Sequence, residues 1–136
     1  MRAIRRTALA AGLAAVGVAA LGLFYTYGAW PVPPGYEFPR HSLWGGPTAL
    51  YEGTLVERAG CILTESGSTV VWPPGYWVSI DAGRPVVHGI GLEIRMGGPI
   101  RLGGGEYDRE QLASVASNAA QTPCPEPFFL TTGLVR

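Results

Sequence analysis

Lysine is absent from this sequence of 136 residues, and all ten of its basic side chains are arginines. Only 15% of the residues are charged whereas 47% are hydrophobic, which excludes a disordered, charge-dominated chain. The arginines accompany many alanines and glycines, which indicates a bias of genome composition. No basic cluster is interleaved with aromatic residues, so nucleic-acid binding is not expected.

Motifs of catalysis and of cofactor binding are also missing. The sequence has no Cys-x-x-Cys pair, and its two histidines, His41 and His88, match no metal-ligand spacing. The triple glycine Gly103–Gly105 lacks the Lys-Ser/Thr of a phosphate-binding loop. Four serines were considered as nucleophiles, and none lies in a nucleophile-elbow sequence: Ser66, Ser68, Ser79 and Ser114.

Asp81 and Glu93 could form the carboxylate pair of a hydrolase, but any β domain of this size offers such a pair by chance. We therefore expect no enzyme activity, no metal and no cofactor. The expected function is a non-enzymatic one, exercised by binding or as a structural element. The alternatives are a secreted enzyme with an unrecognised site and a small subunit of a membrane complex.

A long uncharged segment stands near the N-terminus. Ala8–Tyr25 is apolar apart from three glycines, and three arginines precede it within the first six residues. As a helix, these residues would span about 27 Å, close to the roughly 30 Å of a bilayer core. Residues 1–30 are therefore predicted to be a transmembrane anchor or a signal segment. The positive-inside rule places the rest of the chain outside the cytoplasm.

Whether this segment is cleaved is a separate question. Val18-Ala19-Ala20 satisfies the small-residue rule of signal peptidase, but Leu21–Tyr25 continues the apolar run beyond it. The aromatic cluster Phe24–Trp30 resembles the interfacial belt of a retained anchor. We expect retention in the cell membrane, with secretion after cleavage as the alternative. The membrane and a partner protein of the envelope are the expected partners.

Residues 31–47 are rich in proline and glycine and are predicted to be a linker, with Trp44 packing on the domain. The sequence Pro33-Pro34-Gly35-Tyr36 recurs as Pro73-Pro74-Gly75-Tyr76. Both copies are interpreted as proline turns followed by an aromatic residue.

After the first six residues, the chain has seven arginines and ten acidic residues, which gives this part a net charge of −3.

Residues 48–136 are predicted to form the extracytoplasmic β domain. Twenty glycines and twelve prolines separate short apolar stretches. The predicted strands are Leu50–Val56, Cys61–Thr64, Thr69–Trp72, Trp77–Ile80, Pro85–His88, Leu92–Arg95, Pro99–Leu102 and Phe128–Leu134. We expect a mainly β fold, a small OB-like barrel or sandwich of about six to seven short strands with one helix.

The predicted helix begins after Asp108, which forms a capping-box sequence with Gln111. Leu112, Val115 and Ala119 lie on one face of this helix, which ends at Thr122-Pro123.

The two cysteines, Cys61 and Cys124, form an even set in a chain expected to leave the cytoplasm, and a disulfide is the expected outcome. Two free buried thiols, or a metal site with His88, are the alternatives. Trp72, Tyr76 and Trp77 cluster around a Pro-Pro-Gly turn and form a candidate binding surface. The favoured interpretation of these aromatic residues is a buried core.

Several of these stretches resemble a family of small exported domains of high-GC bacteria. The resemblance covers residues 49–134, and its most specific part is Trp72-Pro73-Pro74-Gly75-Tyr76. It implies a β-barrel-like domain and pairing of Cys61 with Cys124, and it gives no information about activity. The other stretches that carry it are Gly53–Val56, Gly60–Leu63, Leu102–Glu106 and the apolar strand after Cys124.

Overall fold

The computed structural model describes residues 12–22 and 30–135. Residues 12–22 are helical, and all of their side chains are exposed. Within the two described stretches, no helix is long and apolar enough to cross a membrane. Most of the predicted segment of residues 1–30 lies outside the described residues, as do Phe24, Tyr25 and Tyr27 of its aromatic cluster.

From residue 30 to residue 135 the chain forms eight strands, one at each of the eight predicted stretches, although a fold of about six to seven strands was expected. It also forms two short helices, whereas one was expected. The strands are β1 (Ala49–Arg58), β2 (Cys61–Thr64), β3 (Thr69–Val71), β4 (Trp77–Asp81), β5 (Arg84–Gly89), β6 (Leu92–Arg95), β7 (Pro99–Tyr107) and β8 (Phe128–Leu134). β2, β6 and β8 have the bounds that the sequence predicts. The expected mainly β fold is confirmed.

Five strands close a barrel in the order β1-β2-β3-β8-β7, with β7 pairing back onto β1. All neighbours are antiparallel except β3 and β8, which run parallel. β1 and β2 are joined by the two-residue turn Ala59-Gly60, in which both residues have positive φ angles of 50° and 81°. This is the turn geometry that matches the twist of an antiparallel hairpin.

A second sheet, β4-β5-β6, is inserted between β3 and β7. Its two hairpins turn at Ala82-Gly83 and at Ile90-Gly91. Val78, Val87 and Ile94 point from this sheet into the hydrophobic core that also contains the interior of the barrel. The two sheets therefore share one core.

Alternation along the barrel strands separates an inner from an outer apolar layer. Ile62, Val70 and Phe129 belong to the shared core. Their neighbours Val71 and Phe128 belong to a second cluster, which the helices cover. Burying such side chains contributes roughly 1.5–3 kcal/mol each.

The helical connection between β7 and β8 consists of α1 (Arg109–Val115) and α2 (Ser117–Ala120). The predicted capping box is confirmed. The Gln111 backbone N–H donates to the Asp108 carboxylate at 2.8 Å, and the Asp108 backbone N–H donates to the Gln111 side-chain oxygen at 3.0 Å. A single helix was predicted, which is wrong: Ala116, with φ −150° and ψ 69°, separates the two.

The break has a packing explanation. Arg109 donates to the carbonyl oxygens of Ala120, Thr122 and Cys124 and so folds the chain after α2 back toward the start of α1. Ala119 and Ala120 are then buried with Leu112 against the barrel. Val115, expected on the buried face, is instead 40% exposed.

Gly103–Gly105 lies inside β7 and is buried between β1 and β8. A Cβ atom at Gly104 would collide with the carbonyl oxygen of Leu130, and one at Gly105 would lie 2.7 Å from the Pro47 side chain. The triple glycine therefore lets the Leu130 backbone of β8 and the Pro47 side chain approach β7 closely.

The proline-rich segment is not a free linker throughout. Residues 36–42, here called the strap, run along the barrel, with parallel bridges from Glu37 to Cys61 and from Arg40 to Trp72. Phe38 is buried and stacks on Trp72 with 5.6 Å between ring centroids. The predicted packing of Trp44 on the domain is wrong, since its side chain is 73% exposed.

Both Pro-Pro-Gly-Tyr copies form turns, as predicted. Gly35 and Gly75 have φ angles of 83° and 84°, the region that the third position of a type II turn requires.

The Cys61–Cys124 disulfide is confirmed, with an S–S distance of 2.00 Å and a Cα–Cα distance of 5.8 Å. It ties the start of β2 to the segment between α2 and β8. Both cysteines pack with Leu63 and Val56 in a small apolar cluster on the outside of the barrel.

We expect that replacing Cys61 and Cys124 by serine destabilises the domain by about 2–5 kcal/mol, because the unfolded chain loses its cross-link. This loss should lower the melting temperature by roughly 8–40 °C, at about 4–8 °C per kcal/mol for a domain of this size. Calorimetry of the double variant beside the oxidised wild type measures the shift. Wild type treated with a reductant is the matched control and should melt with the variant. Equal melting temperatures of oxidised and reduced protein would contradict the expectation.

Candidate functional site

The predicted aromatic surface divides into a buried and an accessible part. Trp72 is completely buried, and Tyr76 stacks on it at 5.5 Å. The Tyr76 hydroxyl also accepts a hydrogen bond from the Leu134 backbone N–H at 3.3 Å. Trp72 thus presents no surface to a ligand, and only Trp77 of the three lies on the outer face of the second sheet.

Trp77 is the centre of an aromatic stack on that outer face. Its ring lies 5.1 Å from Trp30 on one contact and 5.3 Å from His88 on the other. The register of β4 and β5 explains the second contact, since Trp77 and His88 are directly paired. The first contact brings in a residue from the end of the uncharged N-terminal segment.

His88 also joins Ser79, whose Oγ lies 2.7 Å from its Nε2 atom. Sequence reasoning considered both residues and did not predict that they meet. A serine–histidine hydrogen bond is the geometry of a nucleophile with its base. The nucleophilic serine of α/β-hydrolases, however, stands on a sharp turn beside backbone N–H donors, whereas Ser79 lies in the middle of a regular strand.

Asp81 and Glu93, the candidate carboxylate pair, both bind Arg95. The guanidinium lies 2.7 Å from the Asp81 carboxylate and 2.6 Å from that of Glu93. These hydrogen bonds, first that of Asp81 and then that of Glu93, raise the pKa of Arg95. The two carboxylates therefore neutralise an arginine on an exposed surface.

The metal-site alternative for Cys61, Cys124 and His88 is wrong, because the two thiols are joined and the imidazole binds Ser79. Among residues 12–22 and 30–135, no group of three histidine, cysteine or acidic side chains is placed to hold a metal ion.

A groove of about 600 Å³ lies between the strap and the end of the helical connection. Glu37 and Arg40 line one wall, and Asn118 and Gln121 line the other. Arg40 is half-buried, lies over the Phe38 ring at 5.1 Å and donates to the Trp30 carbonyl oxygen at 3.2 Å. Loss of hydration on burial lowers the pKa of its guanidinium.

His41 holds the strap to the barrel. Its Nε2 atom lies 2.8 Å from the Thr131 carbonyl oxygen, and the Leu43 backbone N–H donates to Nδ1 at 3.2 Å. Because Nδ1 accepts, the proton of the neutral ring stands on Nε2 and donates to Thr131. Burial lowers the pKa of His41, and the hydrogen bond to Thr131 partly opposes this shift.

Comparison of the chain with protein-family models, with curated proteins and with solved structures finds no match. The candidate site therefore rests on the geometry of the chain itself.

We expect acid to weaken the domain through His41. In the unfolded chain the His41 imidazole is protonated near its ordinary pKa of 6.5. In the folded domain its pKa is lower, so it is protonated only at a more acidic pH. The contribution of neutral His41 to the free energy of unfolding is therefore fully present above pH 6.5. This contribution is lost as the pH falls through the lower pKa of His41 in the folded state. Urea unfolding from pH 7.5 to pH ~4.5 measures this loss.

In a His41→Gln variant this part of the pH dependence should disappear. Ser42→Ala, an exposed neighbour on the strap, is the matched control and should retain the slope of the wild type. An unchanged slope in the His41 variant would show that another group is responsible.

Proposed function

We infer that the protein is a membrane-anchored extracytoplasmic domain that acts by binding rather than by catalysis. The observation that carries this proposal is the Cys61–Cys124 disulfide, since such bonds persist in oxidising compartments. The apolar run after three arginines supports a membrane location. The resemblance to exported domains of high-GC bacteria points in the same direction.

The barrel also supports the finer proposal of an OB-like architecture. OB-folds are five-stranded Greek-key barrels that bind ligands on the face of their second and third strands. Here the outer face of β2 is covered by Cys124 and by the strap, which bridges to Cys61. A ligand would therefore bind elsewhere, and the groove of about 600 Å³ beside Arg40 is a concave surface of suitable size.

A secreted enzyme is the second candidate, and the Ser79–His88 hydrogen bond is the observation in its favour. It ranks second because the carboxylate opposite His88, that of Glu93, is bound by Arg95. A catalytic triad would use such a carboxylate to orient the imidazole.

Alkaline phosphatase fused after Arg136 should be active, because the enzyme folds only where its own disulfides form. Activity in intact cells, with the protein level measured by immunoblot, tests the location. A fusion after Arg6 is the control and should be inactive. A stable but inactive fusion after Arg136 would place the domain in the cytoplasm.

We expect residues 1–30 to remain on the mature protein. Sequencing the N-terminus of protein purified from membranes should find the initial residues. A start at Leu21, after Val18-Ala19-Ala20, would show signal-peptide cleavage and favour the secreted alternative.

A further inference from the structure

The N-terminal segment joins the domain at a fixed place. Trp30 stacks on Trp77 at 5.1 Å, and its carbonyl oxygen accepts a hydrogen bond from Arg40 at 3.2 Å. The second sheet and the strap thus hold Trp30 from two sides. Trp30, where the chain enters the domain, is therefore packed against the domain.

The sequence limits how far this point can lie from the N-terminal helix. Eight residues lead from residue 22 to Trp30. Even a fully extended chain advances at most about 3.5 Å per residue, or roughly 28 Å in all. Residue 22, the last described residue of the N-terminal helix, must therefore lie within that distance of Trp30.

The surface around Trp30 has an apolar character of its own. Trp77 pairs with His88, and Ile90 begins the next turn two residues later, at the same end of the second sheet. Ile90 is 74% exposed, more than any other large apolar side chain of residues 30–135. We call Trp30, Trp77, His88 and Ile90 the entry surface.

The charges on this side of the sheet are balanced. The strand register places Asp81, Arg84, Glu93 and Arg95 on the face of Trp77 and His88. Asp81 and Arg84 flank the opposite turn, so the charges nearest the entry surface are Glu93 and the Arg95 that binds it, whereas the chain after its first six residues carries a net charge of −3. An anionic lipid surface would repel this face less than the rest of the domain.

We propose that the entry surface lies against the headgroup layer of the bilayer that holds the N-terminal segment. Tryptophan side chains are enriched in this layer because their rings are amphipathic. In this orientation the Ile90 side chain is removed from water by the lipid, and the polar groups of His88 and Ser79 face the headgroups. The inference rests on the proposed membrane anchoring and adds the orientation of the domain to it.

The test compares the two ends of the second sheet in the full-length protein. Ile90→Cys and Ala82→Cys place a fluorescent label in turns separated by the length of β5, roughly 20 Å. Both turn residues are exposed, and the native cysteines are oxidised and do not react. Val32→Cys, beside Trp30, is a second position near the entry surface if the Ile90 variant fails to fold.

The labelled protein is reconstituted into phosphatidylcholine–phosphatidylglycerol vesicles that carry a nitroxide on their headgroups. We expect the emission at positions 90 and 32 to fall by about half, because both lie at the interface. The emission at position 82 should change little. Equal quenching at positions 82 and 90, or none at either in protein that floats with the vesicles, would overturn the orientation and leave the anchoring intact.

Protein that does not float with the vesicles would overturn both the anchoring and the orientation. A shift of the emission at position 90 that grows with protein concentration in detergent, before vesicles are added, would identify a second copy of the chain as the occupant. That result would overturn the membrane contact.

Discussion

The other parts of the domain depend on the packing around the buried side chain of Trp72. Trp72 directly follows β3, and after it the chain leaves the barrel for the second sheet. Phe38 of the strap stacks on it, as does Tyr76 before β4. The Tyr76 hydroxyl in turn binds the backbone of Leu134 in the last strand. One indole thereby joins the strap, the barrel and the second sheet, and a smaller side chain would leave a cavity between all three.

The strand pattern of the domain could be predicted because it is local. Turn residues bound each strand, and the capping box of α1 is encoded within four residues, Asp108–Gln111. The strap was missed because the density of proline and glycine in residues 31–47 was interpreted as a linker. Only alternate residues of a strand pair with a given neighbour, so Glu37 and His41 donate their N–H groups to the barrel while Pro39 offers its carbonyl oxygen to Trp72. This pattern permits a proline-rich segment to pair.

The candidate site could be predicted only in part. The two-residue turn Ala82-Gly83 fixes the register of its hairpin, so the pairing of Trp77 with His88 was available from the sequence. Ser79 then follows on the same face. The contact of Trp30 with Trp77 and that of His41 with Thr131 join residues 47 and 90 positions apart. No periodicity encodes such contacts, because they depend on how separate elements pack.

The parallel pairing of β3 and β8 also affects the time at which the domain can form. β8 is the last element of the chain, and it closes the barrel by joining β3 on one side and β7 on the other. Until residues 128–134 have emerged from the ribosome, the apolar inner faces of the earlier strands have no complete enclosure. The barrel thus cannot close before β8 has been synthesised, and until then the chain exposes sheet edges that invite aggregation. A chain with this topology therefore depends on protection of these edges until β8 is in place.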